Sequence, residues 1–161
     1  MRVTYCEQWN DRLRAPAGER SEEEARRLDA AGELYSVVLG DPSSPDAEVQ
    51  VYWKNSVLTV SFMDKSARRH VKYVFRKMDE KRLFLTDVTT WTYPEGARFI
   101  FEATRIEHIL FQPDGYSHKR VDDKSSDNIE ISEYRDVPVD ANWEPVPEFG
   151  DWESVTRYQR D

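Results

Sequence analysis

Short runs of β-branched and aromatic residues, separated by turn residues, follow one another from Glu33 to Tyr134. Such runs are typical of β-strands, and no helical segment lies between them to make the long crossover that a parallel pair needs. The pattern therefore predicts an antiparallel meander. The expected strands are residues 34–39, 49–54, 57–63, 70–78, 82–91, 98–104, 106–112, 116–121 and 128–134.

Alternation within these runs predicts which face of each strand is buried. Leu58, Val60 and Phe62 alternate with Thr59 and Ser61. Because successive strand side chains point to opposite faces, the three apolar residues are expected to face a core and the two hydroxyl residues a wetter surface.

The histidines of the predicted hairpin around Asp114 and Gly115 are the first candidates for a metal site. A two-residue turn at this pair places Phe111 opposite His118. That register puts His108 and His118 on opposite faces of the sheet, whereas a shift of one residue reverses the result. We therefore expect no metal site here.

The region before the meander, residues 1–33, is predicted to be helical or irregular. Ser21 and Glu24 form a capping-box sequence, and Gly32 provides a stop, so a helix is expected over residues 22–31. The spacing of Trp9 and Leu13 indicates a further helical turn, which ends near a proline.

Several classes of protein are excluded by composition. The single Cys6 cannot form an intramolecular disulfide, which favours a reducing, cytoplasmic setting. The six glycines do not form a phosphate-binding loop, and no catalytic motif is present, so we expect no cofactor and favour a non-enzymatic protein. No apolar run is long enough for a signal peptide core or a membrane span, so no membrane association is expected.

The last part of the chain differs from the rest in charge. Residues 121–161 contain 4 basic and 12 acidic residues, in a chain of net charge −8. Prolines recur in residues 136–161, which predicts an extended acidic arm rather than a central strand. Acidic side chains interleaved with aromatic ones indicate either a surface for a basic partner or a solvated arm whose aromatic side chains anchor it to its own domain. The predicted partner-binding residues are Trp143, Glu144, Glu148, Phe149, Asp151, Trp152 and Glu153.

Two alternative functions use other residues. A small-molecule-binding protein or enzyme would have its pocket inside the curled sheet, and the candidate lining residues are Trp91, Tyr93, Glu102, Arg105 and His108. A nucleic-acid-binding protein would instead use the basic hairpin at residues 65–82. If the charged side chains of these two candidate sites point to the solvent, they form only an ordinary solvated surface.

Together these patterns predict one α+β, mainly β domain over residues 1–161. Its parts are a helical N-terminal segment (1–33), a strongly twisted antiparallel meander or incomplete barrel of about seven to nine strands (34–135) and an extended acidic arm (136–161). The leading functional hypothesis is a non-enzymatic protein that binds a basic protein partner, such as an inhibitor or immunity-type neutraliser of a toxin. The oligomeric state is left open by the sequence.

Overall fold

The computed structural model describes residues 1–160 and contains an antiparallel sheet of eleven strands with one α-helix. The strands are β1 (Val3–Asn10), β2 (Ala15–Arg20), β3 (Tyr35–Asp41), β4 (Ser44–Tyr52), β5 (Val57–Met63), β6 (Arg69–Lys77), β7 (Arg82–Thr92), β8 (Arg105–Phe111), β9 (Ser117–Asp123), β10 (Asn128–Tyr134) and β11 (Trp143–Pro145), and the helix is α1 (Glu22–Ala31). Three short 3₁₀ helices span Trp53–Asn55, Ile100–Glu102 and Asp140–Asn142. Within residues 1–160, no helix has the length and apolarity to cross a membrane.

The sheet is open, with β10 at one end and β2 at the other. Strands β3 to β10 form a continuous meander, while β1 lies between β3 and β2. The short β11 pairs with the beginning of β7, beside the place where β8 pairs with the rest of it. The mainly β, antiparallel prediction is confirmed, but the strand count is eleven rather than seven to nine.

Helix α1 has the predicted bounds and the predicted cap. The Ser21 hydroxyl accepts a hydrogen bond from the Glu24 amide at 3.1 Å, and the Glu24 carboxylate accepts one from the Ser21 amide at 3.4 Å. Gly32 ends the helix with a φ of 74°, a conformation in which a side chain is strained. Local capping chemistry therefore fixes both ends of α1.

The helical turn predicted between Trp9 and Leu13 is wrong. Trp9 belongs to β1 and pairs with Pro16 of β2, and the chain between them is a tight turn. The Asn10 Oδ1 atom accepts a hydrogen bond from the Leu13 amide nitrogen at 2.9 Å, and this local bond favours a turn over a helix. Because β2 is an edge strand, it tolerates a proline.

The strand predicted at residues 98–104 is also wrong, because this segment is a loop with a 3₁₀ turn. The Glu102 carboxylate accepts the amides of Arg98 at 2.6 Å and Phe99 at 2.8 Å. These bonds occupy backbone donors that a strand would use in its ladder.

The β8–β9 hairpin has a different register from the predicted one. Gln112 donates its amide to the Tyr116 carbonyl at 2.9 Å, which closes a three-residue loop instead of a two-residue turn. His118 is therefore opposite Leu110, and His108 lies on the same face. The predicted placement of the two histidines on opposite faces is wrong by this one-residue shift.

The main core lies on one face of the sheet, which we call the core face. The buried apolar residues of this face come from β3 to β7, and α1 and the C-terminal segment pack over them. The predicted inward residues of β5 are confirmed, since Leu58 and Val60 are completely buried and Phe62 is 8% exposed. Ser61 is also buried, because the other face, the polar face, is covered in this region.

Candidate functional site

The C-terminal segment, residues 136–160, packs on the core face of the sheet. Phe149 stacks on Tyr5 with ring centroids 5.4 Å apart, and Trp152 lies 5.9 Å from Phe149 and 6.4 Å from Tyr35. Trp152 is only 5% exposed. These aromatic side chains attach the segment to its own sheet, and turns, a 3₁₀ helix and β11 replace the expected extended arm.

Two other predicted partner-binding residues also have structural contacts. Glu144 is 6% exposed, and its carboxylate pairs with the guanidinium groups of Arg157 and Arg160. Trp143 is half-buried and packs edge-on against Phe84 with ring centroids 4.9 Å apart. A partner of the folded protein therefore has little access to the Glu144 side chain.

The acids of residues 148–153, the acidic turn, have a different environment. Glu148, Asp151 and Glu153 are exposed, and none forms an ion pair within residues 1–160. The Asp151 amide donates to the Glu148 carbonyl at 3.0 Å, and Gly150 provides a φ of 91°. The packed aromatic residues of the turn fix its backbone, so three free carboxylates are held on an ordered frame.

A groove of about 510 Å³ borders the acidic turn. Its walls combine the acidic Asp151 and Glu153 with the apolar Met1, Val3 and Leu39. Met1 is 89% exposed and Val3 is 41% exposed. A second groove of about 640 Å³ also includes Val3 and the glycine of the turn. The surface around the acidic turn is therefore concave, partly apolar and acidic.

The five residues predicted to line an alternative pocket are not arranged around one site. Trp91 and His108 share the polar face, whereas Arg105 points to the other face because it is an odd number of positions from His108. Glu102 binds backbone amides within its own loop, and the Tyr93 hydroxyl donates to a backbone carbonyl at the start of β6. The sheet register therefore separates the Arg105 and His108 side chains, which this prediction placed in one pocket.

His108 has a local partner. Its Nε2 lies 2.7 Å from the Asp87 carboxylate, which also accepts the Thr86 hydroxyl at 2.6 Å. No group of three or more histidine, cysteine, aspartate or glutamate side chains in the described part of the chain has the arrangement of a metal site. His108 and His118 therefore lie on the same face of the sheet, but within the described residues they do not belong to a group arranged to bind a metal ion.

A buried ionic network lies on the polar face, where the β1–β2 hairpin covers the sheet. Glu48 is 2% exposed, accepts the Trp9 amide at 2.6 Å and pairs with Arg69 at 2.9 Å. Arg69 also donates to the Ser61 hydroxyl at 2.6 Å and to Asp11 at 2.9 Å. These bonds tie the hairpin to β4, β5 and β6.

Sequence reasoning did not find this network, because its members are distant in the chain. Trp9 and Glu48 are 39 residues apart, and Asp11 and Arg69 are 58 residues apart. The one local signal was a glutamate within the apolar alternation of β4. Lys72 lies beside the network, where burial and then the positive charge of Arg69 lower the pKa of its amine.

Half of the basic residues of 65–82 are paired with acidic residues of the protein itself. Four of the eight cations form ion pairs: Arg68 with Asp64, Arg69 with Glu48 and Asp11, Lys77 with Glu80, and Arg82 with Asp79. Arg82 also covers the ring of Trp143 at 4.5 Å. These internal contacts reduce the charge available to a nucleic-acid backbone, so the structure offers this alternative no support.

The lone cysteine gives a prediction about chemical reactivity. Cys6 is completely buried, and burial, followed by the nearby charge of Glu48, raises the pKa of its thiol to about 12. At about pH 8 we expect Ellman's reagent to label it at least ~10³-fold more slowly in the folded protein than in concentrated urea, because thiolate is scarce and covered. Glutathione in the same buffers controls for the reagent. Equal rates in both states would contradict the buried position.

The comparisons with known proteins leave the candidate site to be judged from its own geometry. No protein-family model matches the chain, and no curated protein or solved structure matches it either. What distinguishes the acidic turn is that its carboxylates are exposed and free of ion pairs within residues 1–160, while its aromatic side chains are packed.

Proposed function

We propose that this chain is a non-enzymatic binding protein that engages a basic protein partner through the acidic turn. The observation that carries the proposal is the combination of three exposed carboxylates, on Glu148, Asp151 and Glu153, with a backbone fixed by the buried Trp152 and the partly buried Phe149. A preorganised surface loses little conformational entropy when it binds, so more of its interaction energy is retained as affinity.

The electrostatics of the chain support a basic partner. The net charge is −8, and the segment that contains the acidic turn has a large excess of acids over bases. A field of one sign attracts an oppositely charged partner and raises the association rate, with a strong dependence on salt. The adjacent groove adds apolar contact area at Met1 and Val3, which gives the surface the apolar centre and charged rim of many protein interfaces.

The most specific form of the proposal is an inhibitor or immunity-type neutraliser of a basic toxin, such as a nuclease, that acts in the cytoplasm. A rigid acidic surface suits this role because it occupies a cationic site in place of the toxin's negatively charged target. The buried single Cys6 is compatible with a reducing compartment.

The test measures association rates with a partner captured from the native lysate at low salt. Replacing Glu148→Gln, Asp151→Asn and Glu153→Gln together is expected to slow association by roughly 10- to 10³-fold and to flatten its salt dependence. The matched control is Asp46→Asn, Glu95→Gln and Asp127→Asn, which removes the same charge from exposed positions elsewhere that form no ion pair within residues 1–160.

The comparison between the two triple variants decides the proposal. If only the variant of the acidic turn binds slowly, the partner docks at this surface. If both variants slow association equally, the effect is one of total charge, and the assignment of the site is wrong. If neither variant changes the rate, the partner uses neither the charge nor the turn.

A further inference from the structure

The outer edge of β10 is the second feature of the chain suited to a partner. Strand β10 ends the sheet, and its seven residues pair with β9 in an unbroken register. Its other side pairs with no strand among residues 1–160. An edge of this kind presents a row of backbone donors and acceptors to any strand that approaches it.

The two edges of the sheet differ in how they are protected. Strand β2 contains Pro16, which lacks an amide hydrogen, and Gly18, which weakens strand pairing. Strand β10 has no proline, glycine or lysine and no bulge. Charged side chains also protect a free edge, so Glu130 and Glu133 are the only protection of this kind that β10 has. Strand β10 is therefore the more accessible edge for a strand whose charges complement them.

Strand β10 also exposes large apolar side chains. Ile129 is 51% exposed, Ile131 is 62% exposed and Tyr134 is 48% exposed. Ile129 and Ile131 lie on the same face, two positions apart. An added strand would cover part of both side chains, which supplies apolar burial in addition to backbone hydrogen bonds.

The acidic side chains of β10 indicate which side chains an added partner strand would carry. Glu130 and Glu133 are both exposed, neither forms an ion pair within residues 1–160, and β10 contains no basic residue. In an antiparallel pair, directly opposite side chains interact, and opposite charges stabilise the pair while like charges destabilise it. The complementary strand therefore has basic residues three positions apart.

We propose that β10 binds an extended segment of a partner protein by antiparallel strand addition, with basic side chains opposite Glu130 and Glu133 and β-branched side chains opposite Ile129 and Ile131. A second copy of this chain fits less well, because it brings two more glutamates and a further net charge of −8 to the same edge. This site is independent of the acidic turn, which adjoins β1 and β3 near the other end of the sheet.

The experiment titrates the isotope-labelled full chain with a synthetic peptide and follows its backbone amides by NMR. The probe is Thr-Lys-Thr-Val-Lys-Val-Thr, with blocked ends, which places lysine opposite both glutamates and valine opposite both isoleucines. The controls are the same peptide with glutamate for lysine, and two versions N-methylated at alternate residues, one in each phase. Only one phase carries the amides that face β10, so only one of these two versions loses the ladder.

Strand addition predicts shifts and slowed hydrogen exchange in β10 with the lysine peptide, and at least about tenfold weaker binding of the glutamate peptide and of one N-methylated version. The chain variant Ile131→Lys is expected to weaken binding by a similar factor. Leu13→Lys, at another exposed apolar residue (71%), is the matched control and is expected to bind normally.

Three results would overturn the proposal. Equal binding of the lysine peptide and both N-methylated versions excludes a backbone ladder. Shifts confined to the acidic turn show simple charge attraction there, which concerns the proposed function and not this edge. Sedimentation that detects a dimer of the wild-type chain, and only monomer for Ile131→Lys, assigns the edge to a second copy.

Discussion

Replacing Arg69 with methionine is expected to lower the free energy of unfolding by about 3–5 kcal/mol, because it leaves a buried carboxylate without its cation. Glu48 is 2% exposed, and Arg69 is the cation that lies 2.9 Å from it. The methionine keeps much of the volume of the arginine stem, so the loss reports the charge rather than a cavity. Urea unfolding followed by tryptophan fluorescence measures this difference.

A second substitution separates the charge of Glu48 from its hydrogen bond. Glu48→Gln keeps an oxygen that can accept the Trp9 amide but removes the negative charge. Combined with Arg69→Met, it is expected to destabilise the protein by clearly less than the sum of the two single changes. The reason is that each single change leaves one buried charge without its partner, whereas the double change leaves none. An additive double variant, or an Arg69→Met effect below about 1 kcal/mol, would show that the two groups do not depend on each other.

The same variants test whether the network holds the β1–β2 hairpin in place. Arg69 reaches the hairpin through Asp11, and Glu48 reaches it through the Trp9 amide. Loss of the network is therefore expected to increase hydrogen exchange in β1 and β2 more than in β4 and β5, whose core face is unchanged. Uniform acceleration throughout the sheet would place the effect in global stability alone.

Features set by neighbouring residues were predictable from the sequence. The capping box at Ser21 and the glycine stop give α1 its bounds, and apolar alternation gives β5 its bounds and its buried face. Strand β10 was predicted at its observed limits for the same reason. Each of these signals lies within about ten residues, where propensity, capping and period act together.

Features set by distant contacts were not predictable in this way. Strand β2 contains Pro16 and Gly18 and has no strand-like pattern, so only its pairing with β1 identifies it. The β8–β9 register depends on a choice between a two-residue and a three-residue loop, and the sequence Asp-Gly fits both. The network at Glu48 requires a hairpin folded over the sheet, which no local pattern indicates.

The candidate site was likewise predictable only in part. The sequence marks residues 121–161 as acidic, and it leaves open whether the aromatic residues of the acidic turn bind a partner or anchor the segment to its own domain. What the sequence did not reveal is the surface that they anchor to. Their rings pack on the protein's own β1 and β3, whereas the carboxylates of Glu148, Asp151 and Glu153 remain exposed to a partner.

Trp152→Ala is expected to cost about 3–5 kcal/mol of unfolding free energy, the range typical of a large buried aromatic residue. Trp152 is 5% exposed and contacts two other rings, so its removal leaves a cavity under the acidic turn. Since the total stability of such a domain is about 5–15 kcal/mol, Trp152→Phe provides a milder variant that is expected to remain folded.

The neighbouring Glu153→Ala is the matched control, because it truncates an exposed side chain in the same turn. It is expected to change stability by less than about 0.5 kcal/mol while slowing association with a basic partner. One result would contradict these expectations: a Trp152→Ala protein that is as stable as the wild type but no longer binds the partner. This result would mean that the indole contacts the partner directly. In the folded protein the indole is covered by the core, so the C-terminal segment would have to detach from the sheet before it could bind in this way.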